Sequence, residues 1–259
     1  MPATSDRASR RADGPDSRRP RRPVSVVGVF GELLLTAGVV ILLFLAWQLW
    51  WNDAIMDSQQ SSSAADLMGD WEREAREQPV PEDFGDPVVL SGDVENAETF
   101  AVMYVPRFGE NSQRRVAEGT GLDVLNSSFL GVGHYPGTAM PGGVGNFALA
   151  SHRSAYGGGM HEIEQLQLGD KIYIRTADGW FTYAFRDFEY VTPETMQVLA
   201  PVPHQPEAEA RDRIIALTTC NPLFSTAERI IAYGVMEGWR PAAAGPPDEI
   251  AADVAAWEE

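Results

Sequence analysis

The pattern of apolar and polar positions divides the 259-residue chain into five stretches. One of them, residues 24–51, reads VSVVGVFGELLLTAGVVILLFLAWQLWW and has Glu32 as its only ionisable side chain. About 20 consecutive apolar residues are enough for a helix to cross a bilayer. The pattern therefore predicts a transmembrane helix over residues 24–51.

A cleaved signal peptide is the alternative interpretation of this apolar run. The apolar region of a signal peptide is typically about 7 to 15 residues long, and small residues follow it before the cleavage site. The run is longer here, and it ends in Trp47, Trp50 and Trp51, which suit a membrane interface. We therefore expect a retained anchor that crosses the membrane once.

Short β-like runs separated by turn residues occupy residues 98–240. NFALASH (146–152) and RIIALTTC (213–220) have the length and apolar content of single strands. The run DKIYIRTADGWFTYAFRDFEYV (170–191) has turn residues near its middle and predicts a hairpin. Six or more strands with few helical segments predict a mainly β fold, a closed or nearly closed β-barrel with short helices.

Polar sequence of low complexity makes up the other three stretches. Residues 1–23 contain seven arginines and three aspartates among Pro, Ser and Gly, which is typical of a disordered tail. Residues 52–97 are acidic with scattered Pro and lack a sustained strand pattern, so we expect a stalk, with room for one short helix. Residues 241–259 predict a disordered acidic C-terminal tail.

The charge on the two sides of the apolar run predicts its orientation. The arginine excess before the run places residues 1–23 in the cytoplasm and the rest of the chain outside the cell. Residues 52–259 carry 33 acidic and 13 basic side chains, a net charge of −20 with neutral histidines. That balance argues against binding of nucleic acid and against docking of this region on anionic lipid.

Cys220 is the only cysteine of the chain, and it ends the run RIIALTTC. Extracellular compartments favour paired cysteines, so a single one suggests a reactive thiol or an intermolecular bridge. The alternative is an inert buried residue, because free cysteine is among the most buried residue types. Asn221 and Pro222, which are typical of strand ends, place Cys220 at the rim of the predicted barrel.

Two further strand ends supply the partners that a nucleophilic cysteine needs. The thiolate requires a proton acceptor or a cation beside it, usually a histidine. His152 ends the strand NFALASH, whereas His161 and His204 lie in loops and are weaker candidates. Arg229 begins a strand that can pair antiparallel with the one ending at Cys220, which would return its guanidinium to the sulfur as an oxyanion donor. Together the three strand ends form a coherent site for thiol acyl transfer.

These motifs match a known family. ALTTC followed by Arg229, with HYPGTAMPGGVGNFALASHR upstream and LQLGDKIYI between, resembles the sortases, the membrane-anchored cysteine transpeptidases of Gram-positive bacteria. The resemblance spans about Thr99 to Trp239 and is greatest to the class E sortases of actinobacteria. It implies an eight-stranded sortase-type β-barrel and gives the catalytic roles to Cys220, His152 and Arg229.

Two positions depart from the family pattern. Ala216 stands where the Thr-Leu-x-Thr-Cys pattern begins with Thr, and Ser151 precedes the histidine where Gly or Ala is frequent. Because Ala216 is four residues from the sulfur, we expect it to point into the packing of the strand. The hydroxyl of Ser151 can hydrogen-bond locally and shift the barrel rim.

The resemblance also implies a reaction. The substrates would be secreted proteins with a C-terminal sorting signal, LAxTG rather than LPxTG for class E, cleaved between Thr and Gly through a thioacyl intermediate on Cys220. An amine of a peptidoglycan precursor, of the lipid II type, would receive the protein. Tyr135, His134 and Thr219 are the candidates for contacting the substrate. We expect no cofactor; calcium activation stays open, because the acidic residues show no recognisable ligand spacing.

Three other functions compete with this interpretation. A pilin-polymerising sortase would use the same three residues with a pilin lysine as the acceptor. A membrane-anchored β-barrel adaptor would carry an inert Cys220 and catalyse nothing. A secreted cysteine peptidase is the third, and both the membrane anchor and an Arg in place of an Asn or Asp partner argue against it.

Overall fold

The structure, a computed structural model, describes residues 25–47 and 51–257. The chain divides into two units, Met1–Leu45 and Ala46–Glu259. In the first unit, α1 (Val26–Ala46) is long and apolar enough to cross a membrane, and all of its side chains are exposed. This helix fits a single-pass membrane anchor, as the sequence predicted. The predicted tail, residues 1–23, lies outside the described residues.

Eight strands of the second unit close into a barrel, which confirms the predicted fold class. The strands are β1 (Thr99–Tyr104), β2 (Arg114–Glu118), β3 (Gly131–His134), β4 (Gly145–Ser151), β5 (Lys171–Thr176), β6 (Gly179–Val191), β7 (Arg213–Asn221) and β8 (Glu228–Pro241). Their order around the barrel is β1, β2, β3, β4, β7, β8, β6, β5. The pairs β2 with β3 and β4 with β7 are parallel, and the others are antiparallel. In this order β4 lies across the barrel from β5, and β7 lies across from β1.

Alternation along each strand separates the inside of the barrel from its outer face. Phe147 and Leu149 of β4 point into the main core, as do Ile215 and Leu217 of β7. The residues between them belong to a separate buried cluster on the outer face, in which Ala148 of β4, Ala216 of β7 and Ile231 of β8 pack against Val198. We call this set the outer cluster. Ala216 thus points into strand packing, as expected.

Helix α2 (Asn52–Arg76) and the segment after β8, which ends in α4 (Ala251–Trp257), pack on the outside of the barrel. They share one buried cluster with strands β1, β5 and β6: Ala64, Met68, Val102, Tyr104, Tyr173, Trp180, Ile250 and Val254. The structure differs here from the stalk expected over residues 52–97 and from the disordered tail expected over residues 241–259. Helix α2 and the segment that ends in α4 pack on the barrel instead. The physical reason is that a few apolar side chains on each segment meet an apolar patch of the barrel that the sequence pattern does not reveal.

A buried ion pair holds α2 on the barrel. Arg175 Nε of β5 donates to Glu72 Oε1 at 2.8 Å, and Trp180 Nε1 donates to the same oxygen at 3.2 Å. The side chains of both charged residues are at most 3% exposed. Burial lowers the pKa of Arg175, and the Glu72 carboxylate opposes this shift. The pair therefore keeps its charges where neither could stay buried alone.

Candidate active site

Cys220 and Arg229 lie directly opposite each other in the antiparallel pair of β7 with β8. Opposed residues of such a pair point to the same face, with Cβ atoms about 4.5 to 5.5 Å apart. Cys220 is partly exposed. Arg229 Nη1 donates to Thr226 O at 3.1 Å and to Glu228 O at 2.9 Å, which fixes one end of the guanidinium at the β7–β8 turn. Strand pairing thus brings these two predicted residues together.

The parallel pair of β4 with β7 relates the backbone at His152 to that at Cys220. The register pairs the residues of β4 up to Ala150 with the residues 68 positions later in β7, and the same offset relates His152 to Cys220. Two hydrogen bonds join the two segments, one on each side of His152. Thr219 Oγ1 donates to Ser151 O at 2.7 Å, and Arg153 Nη1 donates to Cys220 O at 3.5 Å.

Cys220 and Arg229 share the outer face of the barrel, and the phase of β4 extended by one residue assigns His152 to the same face. Along their strands, His152 and Cys220 are in phase with Ala148 and Ala216, and Arg229 is in phase with Ile231, all members of the outer cluster. The cluster is buried, and the partly buried side chains of Tyr135 and Leu199 pack against it. The thiol and the guanidinium therefore lie at the edge of a buried apolar cluster.

Two residues that the sequence did not indicate hold the His152 ring. Its Nε2 lies 2.8 Å from Asn126 Oδ1, one residue after α3 (Leu122–Leu125), and its ring centroid lies 5.0 Å from that of Tyr156. An amide oxygen only accepts hydrogen bonds, so Nε2 carries a proton, and a neutral ring then has its lone pair on Nδ1. Burial lowers the pKa of His152, and the Asp53 charge raises it by less. The ring is therefore neutral at pH 7 and ready to accept a proton.

Tyr135, which was predicted to contact the substrate, also lies at this face. Its side chain packs against the outer cluster. Burial raises the pKa of Tyr135, and the charges of Arg229 and Cys220 both act on its hydroxyl, the first lowering and the second raising that pKa. The structure thus brings Tyr135 to the same region as the thiol and the guanidinium.

His134 and Thr219, the other two predicted substrate contacts, are buried and hydrogen-bonded inside the protein. His134 Nδ1 lies 2.6 Å from Glu118 Oε2, and Thr138 Oγ1 lies 2.8 Å from His134 Nε2. The hydroxyl of Thr219 donates a hydrogen bond to Ser151 O. Each is the sequence neighbour of a residue on the outer face, so each points to the opposite side. The structure does not bring either side chain to the face that carries Cys220.

Charged groups around the site are paired with one another. Arg153, which is fully buried, donates to Asn221 Oδ1 at 2.6 Å and pairs with Glu164, and Asn221 Nδ2 donates to Glu228 Oε2 at 2.9 Å.

In the part of the chain that the structure describes, no group of three or more His, Cys, Asp or Glu side chains is arranged to hold a metal ion.

Comparison with known sequences gives consistent relatives. The sortase domain model matches residues 103–237, from β1 to β8. Sortase SrtE1 of Streptomyces coelicolor is 34% identical over 241 residues, which are 90% of this chain and 64% of that protein. Sortase SrtE2 of the same organism is 31% identical over 245 residues, 90% of this chain and 92% of that protein. The chain thus spans about two thirds of the length of SrtE1 and nearly all of SrtE2.

Solved structures show the same barrel. The SrtA sortase from Actinomyces oris aligns with a TM-score of 0.58 at 37% identity and covers 66% of this chain and 95% of that chain. Sortase E1 from Streptomyces coelicolor, solved with a tripeptide in the active site, gives a TM-score of 0.55 at 35% identity and covers 60% and 97%. Domain model, relatives and structures agree: this chain belongs to the sortase family, with class E sortases among its relatives.

Proposed function

We propose that this sortase cleaves an LAxTG-type C-terminal sorting signal between Thr and Gly and transfers the protein to an amine of a peptidoglycan precursor. The observation that supports the proposal most is that β7 and β8 pair Cys220 with Arg229, while His152 follows the end of β4, the strand next to β7. A nucleophilic thiol, a proton acceptor and a cationic donor are the groups that acyl transfer by cysteine requires.

The first half-reaction forms the thioacyl enzyme. His152 takes the thiol proton, and the Cys220 sulfur attacks the carbonyl carbon of the Thr in the signal. Arg229 stabilises the resulting oxyanion; because its Nη1 donates to two carbonyls of the turn, we assign Nε and Nη2 as the donors to the oxyanion. The C–N bond to Gly then breaks, and the proton on His152 passes to the departing amine.

The second half-reaction releases the product. The amine of the precursor attacks the thioester carbon, and His152 accepts a proton from the attacking nitrogen. The C–S bond breaks, and Cys220 regains its proton from the ring. We place the apolar residues of the signal beside Tyr135, which is partly buried at the edge of the outer cluster.

The proposed orientation places this reaction where its substrates are. The arginines of residues 1–23 stay in the cytoplasm, α1 crosses the membrane, and the barrel lies outside the cell. Secreted proteins and lipid-linked cell-wall precursors both occur at the outer surface of the membrane. The similarity to the Streptomyces sortases SrtE1 and SrtE2 supports a sortase reaction.

The reaction can be tested with the full chain in detergent micelles. We expect a labelled LAxTG peptide and an amine acceptor to give a thioester on Cys220 and a transpeptidation product, both visible by mass spectrometry. Cys220→Ala abolishes both, and His152→Ala or Arg229→Ala lowers the rate about 10²-fold or more, the scale of losing an acid–base group or an oxyanion donor.

Other outcomes separate the competing functions. Product formation that persists in Cys220→Ala contradicts the proposal. A parallel LPxTG peptide measures the preference for the signal, and a pilin-type lysine peptide that outcompetes the precursor amine identifies a pilin-polymerising enzyme. Slow alkylation of Cys220, unaffected by His152→Ala and without thioester from either peptide, is the behaviour of a non-catalytic adaptor.

A further inference from the structure

The N-terminal half of α2 contacts the two loops that hold the His152 ring. Gln60, whose side chain is fully buried, donates through Nε2 to Ser127 O at 2.8 Å and to Tyr156 O at 2.9 Å. Ser127 follows Asn126, the hydrogen-bond partner of His152, and Tyr156 is its ring partner. One amide group therefore bridges the two loops from which the imidazole is held.

Two glycines make room for the amide of Gln60. A Cβ added at Gly131 would lie 2.6 Å from Gln60 Oε1, and one added at Gly157 would lie 2.5 Å from the same atom. Both glycines have positive φ angles, 97° and 83°, which other residues rarely adopt. Any side chain at either position would have to displace Gln60. The amide thus occupies a cradle that both loops shape.

Two acidic residues on the same side of α2 bind the same region. Asp53 Oδ1 accepts the backbone N–H of Gly157 at 2.7 Å, and Asp57 pairs with the buried Arg114 of β2. Positions 53, 57 and 60 follow the spacing of one helix face. The helix therefore meets the loop after His152 through Asp53 and Gln60, and it meets strand β2 through Asp57.

We propose that Gln60 is a positioning residue for the acyl transfer proposed above. It fixes Asn126 and Tyr156 around the His152 ring and so keeps Nδ1 in the orientation that exchanges a proton with Cys220. The inference rests on the proposed function, because the orientation of Nδ1 matters only if His152 moves protons. A misplacement of about 1 Å at a reacting group can cost about 10²-fold in rate, even when its cause lies outside the reaction centre.

The test compares Gln60→Met with Gln59→Met in the full chain. Methionine matches the length of glutamine but removes both N–H donors, and Gln59 is the exposed neighbour on the same helix. We expect Gln60→Met to lower kcat about 10-fold with little change in KM for the LAxTG peptide, because the ring is misplaced while the peptide surface is intact. Gln59→Met keeps both constants.

Two further measurements distinguish positioning from loss of folding. Rates are divided by the folded fraction from thermal unfolding, and the Cε1 resonance of His152 is followed by NMR in micelles. We expect this resonance to move in Gln60→Met and to stay in Gln59→Met. Gly157→Ala, whose Cβ pushes on Gln60 from the loop side, gives the same pair of changes without altering α2 itself.

Each result decides for or against the positioning role. If Gln60→Met and Gly157→Ala keep the wild-type kcat and His152 resonance, or lose rate only in proportion to folded fraction, Gln60 does not position the ring. An active wild-type enzyme in that case leaves the proposed function standing. If the wild type forms no thioester, the proposed function fails, and so does the positioning role that rests on it.

Discussion

At the residue scale, two opposing influences set the protonation of His152. Burial lowers the pKa of the ring below its ordinary 6.5, and the negative charge of Asp53 raises it by a smaller amount. Asp53 belongs to α2, so this helix acts on the ring through charge as well as through the contacts of Gln60. The balance keeps the ring neutral at pH 7, the form that accepts a proton from the thiol.

Removing the Asp53 charge tests this balance. Asp53→Asn keeps an oxygen for the Gly157 N–H, so we expect the loop to stay in place and the pKa of His152 to fall further. An NMR titration of the Cε1 proton of His152 in the full chain measures the shift. Asp70→Asn, at an exposed position further along the same helix, is the matched control and is expected to leave that pKa unchanged. A pKa that stays constant or rises in Asp53→Asn contradicts the assigned influence.

Strand phase explains which site residues the sequence could predict. Cys220, His152 and Arg229 each end or begin a run with visible strand pattern, and the runs at Cys220 and Arg229 pair antiparallel as expected. His134 and Thr219 were predicted because they adjoin residues of the outer face. Adjacent strand residues point to opposite sides, however, so both side chains are buried and bonded on the inner side.

Asn126 and Gln60 could not be predicted, because their contacts join distant parts of the chain. Asn126 meets a histidine 26 residues later, and Gln60 meets a backbone carbonyl 96 residues later. An asparagine in a loop and a glutamine in a polar helix belong to no pattern that identifies such partners. Only the folded barrel, with its two glycine-lined loops, gives them a role.

At the scale of elements, α2 differs most from its sequence expectation. Its sequence is polar, with a run of glutamines and serines where an amphipathic helix would show apolar residues. The residues that it buries include Gln60 and Glu72 as well as Ala64 and Met68. The helix thus docks largely through small and polar side chains, which hydrophobic periodicity cannot detect.

The buried ion pair gives a stability test for α2. Glu72→Ala leaves the Arg175 guanidinium buried without a counter-charge and Trp180 Nε1 without its acceptor. We expect the free energy of unfolding to fall by about 3 to 5 kcal/mol, the usual effect of removing one partner of a buried pair. Denaturant unfolding of the full chain in micelles, followed by tryptophan fluorescence, measures this loss.

The control replaces both charges by side chains of similar length. In the double variant Glu72→Met with Arg175→Met, no unpaired charge is left, and apolar replacement of a buried pair is often neutral or stabilising. We therefore expect it to be more stable than Glu72→Ala alone. A loss below about 1 kcal/mol in Glu72→Ala, the value of an exposed pair, would mean that water reaches the guanidinium.

At the scale of the second unit, the barrel carries its site and its C-terminal segment on different sides. The outer face of β4 and β7 holds Cys220 and the outer cluster, whereas the packed C-terminal segment covers β1, β5 and β6. Because β7 lies across the barrel from β1, and β4 across from β5, the C-terminal segment is separated from the site by the barrel itself. Stability and activity should therefore respond differently to its loss.

Deleting residues 248–259 tests this separation. The deletion removes Ile250 and Val254 from the buried cluster and Asp253, which accepts the Tyr104 hydroxyl at 2.8 Å. Two buried apolar side chains at about 1.5 to 3 kcal/mol each predict a loss of about 3 kcal/mol or more in unfolding free energy. We expect kcat and KM for the sorting peptide to stay at wild-type values at temperatures where the chain is folded.

The matched control for the deletion is Asp253→Asn, which keeps every apolar contact. It weakens one hydrogen bond, so we expect a loss of about 1 kcal/mol, well below that of the deletion. Denaturant unfolding and the peptide assay, run on the same preparations, separate the two effects. A deletion that lowers kcat while the protein remains fully folded would show that the C-terminal segment reaches the Cys220 face. Equal stability of deletion and wild type would show instead that the buried cluster is stable without the C-terminal segment.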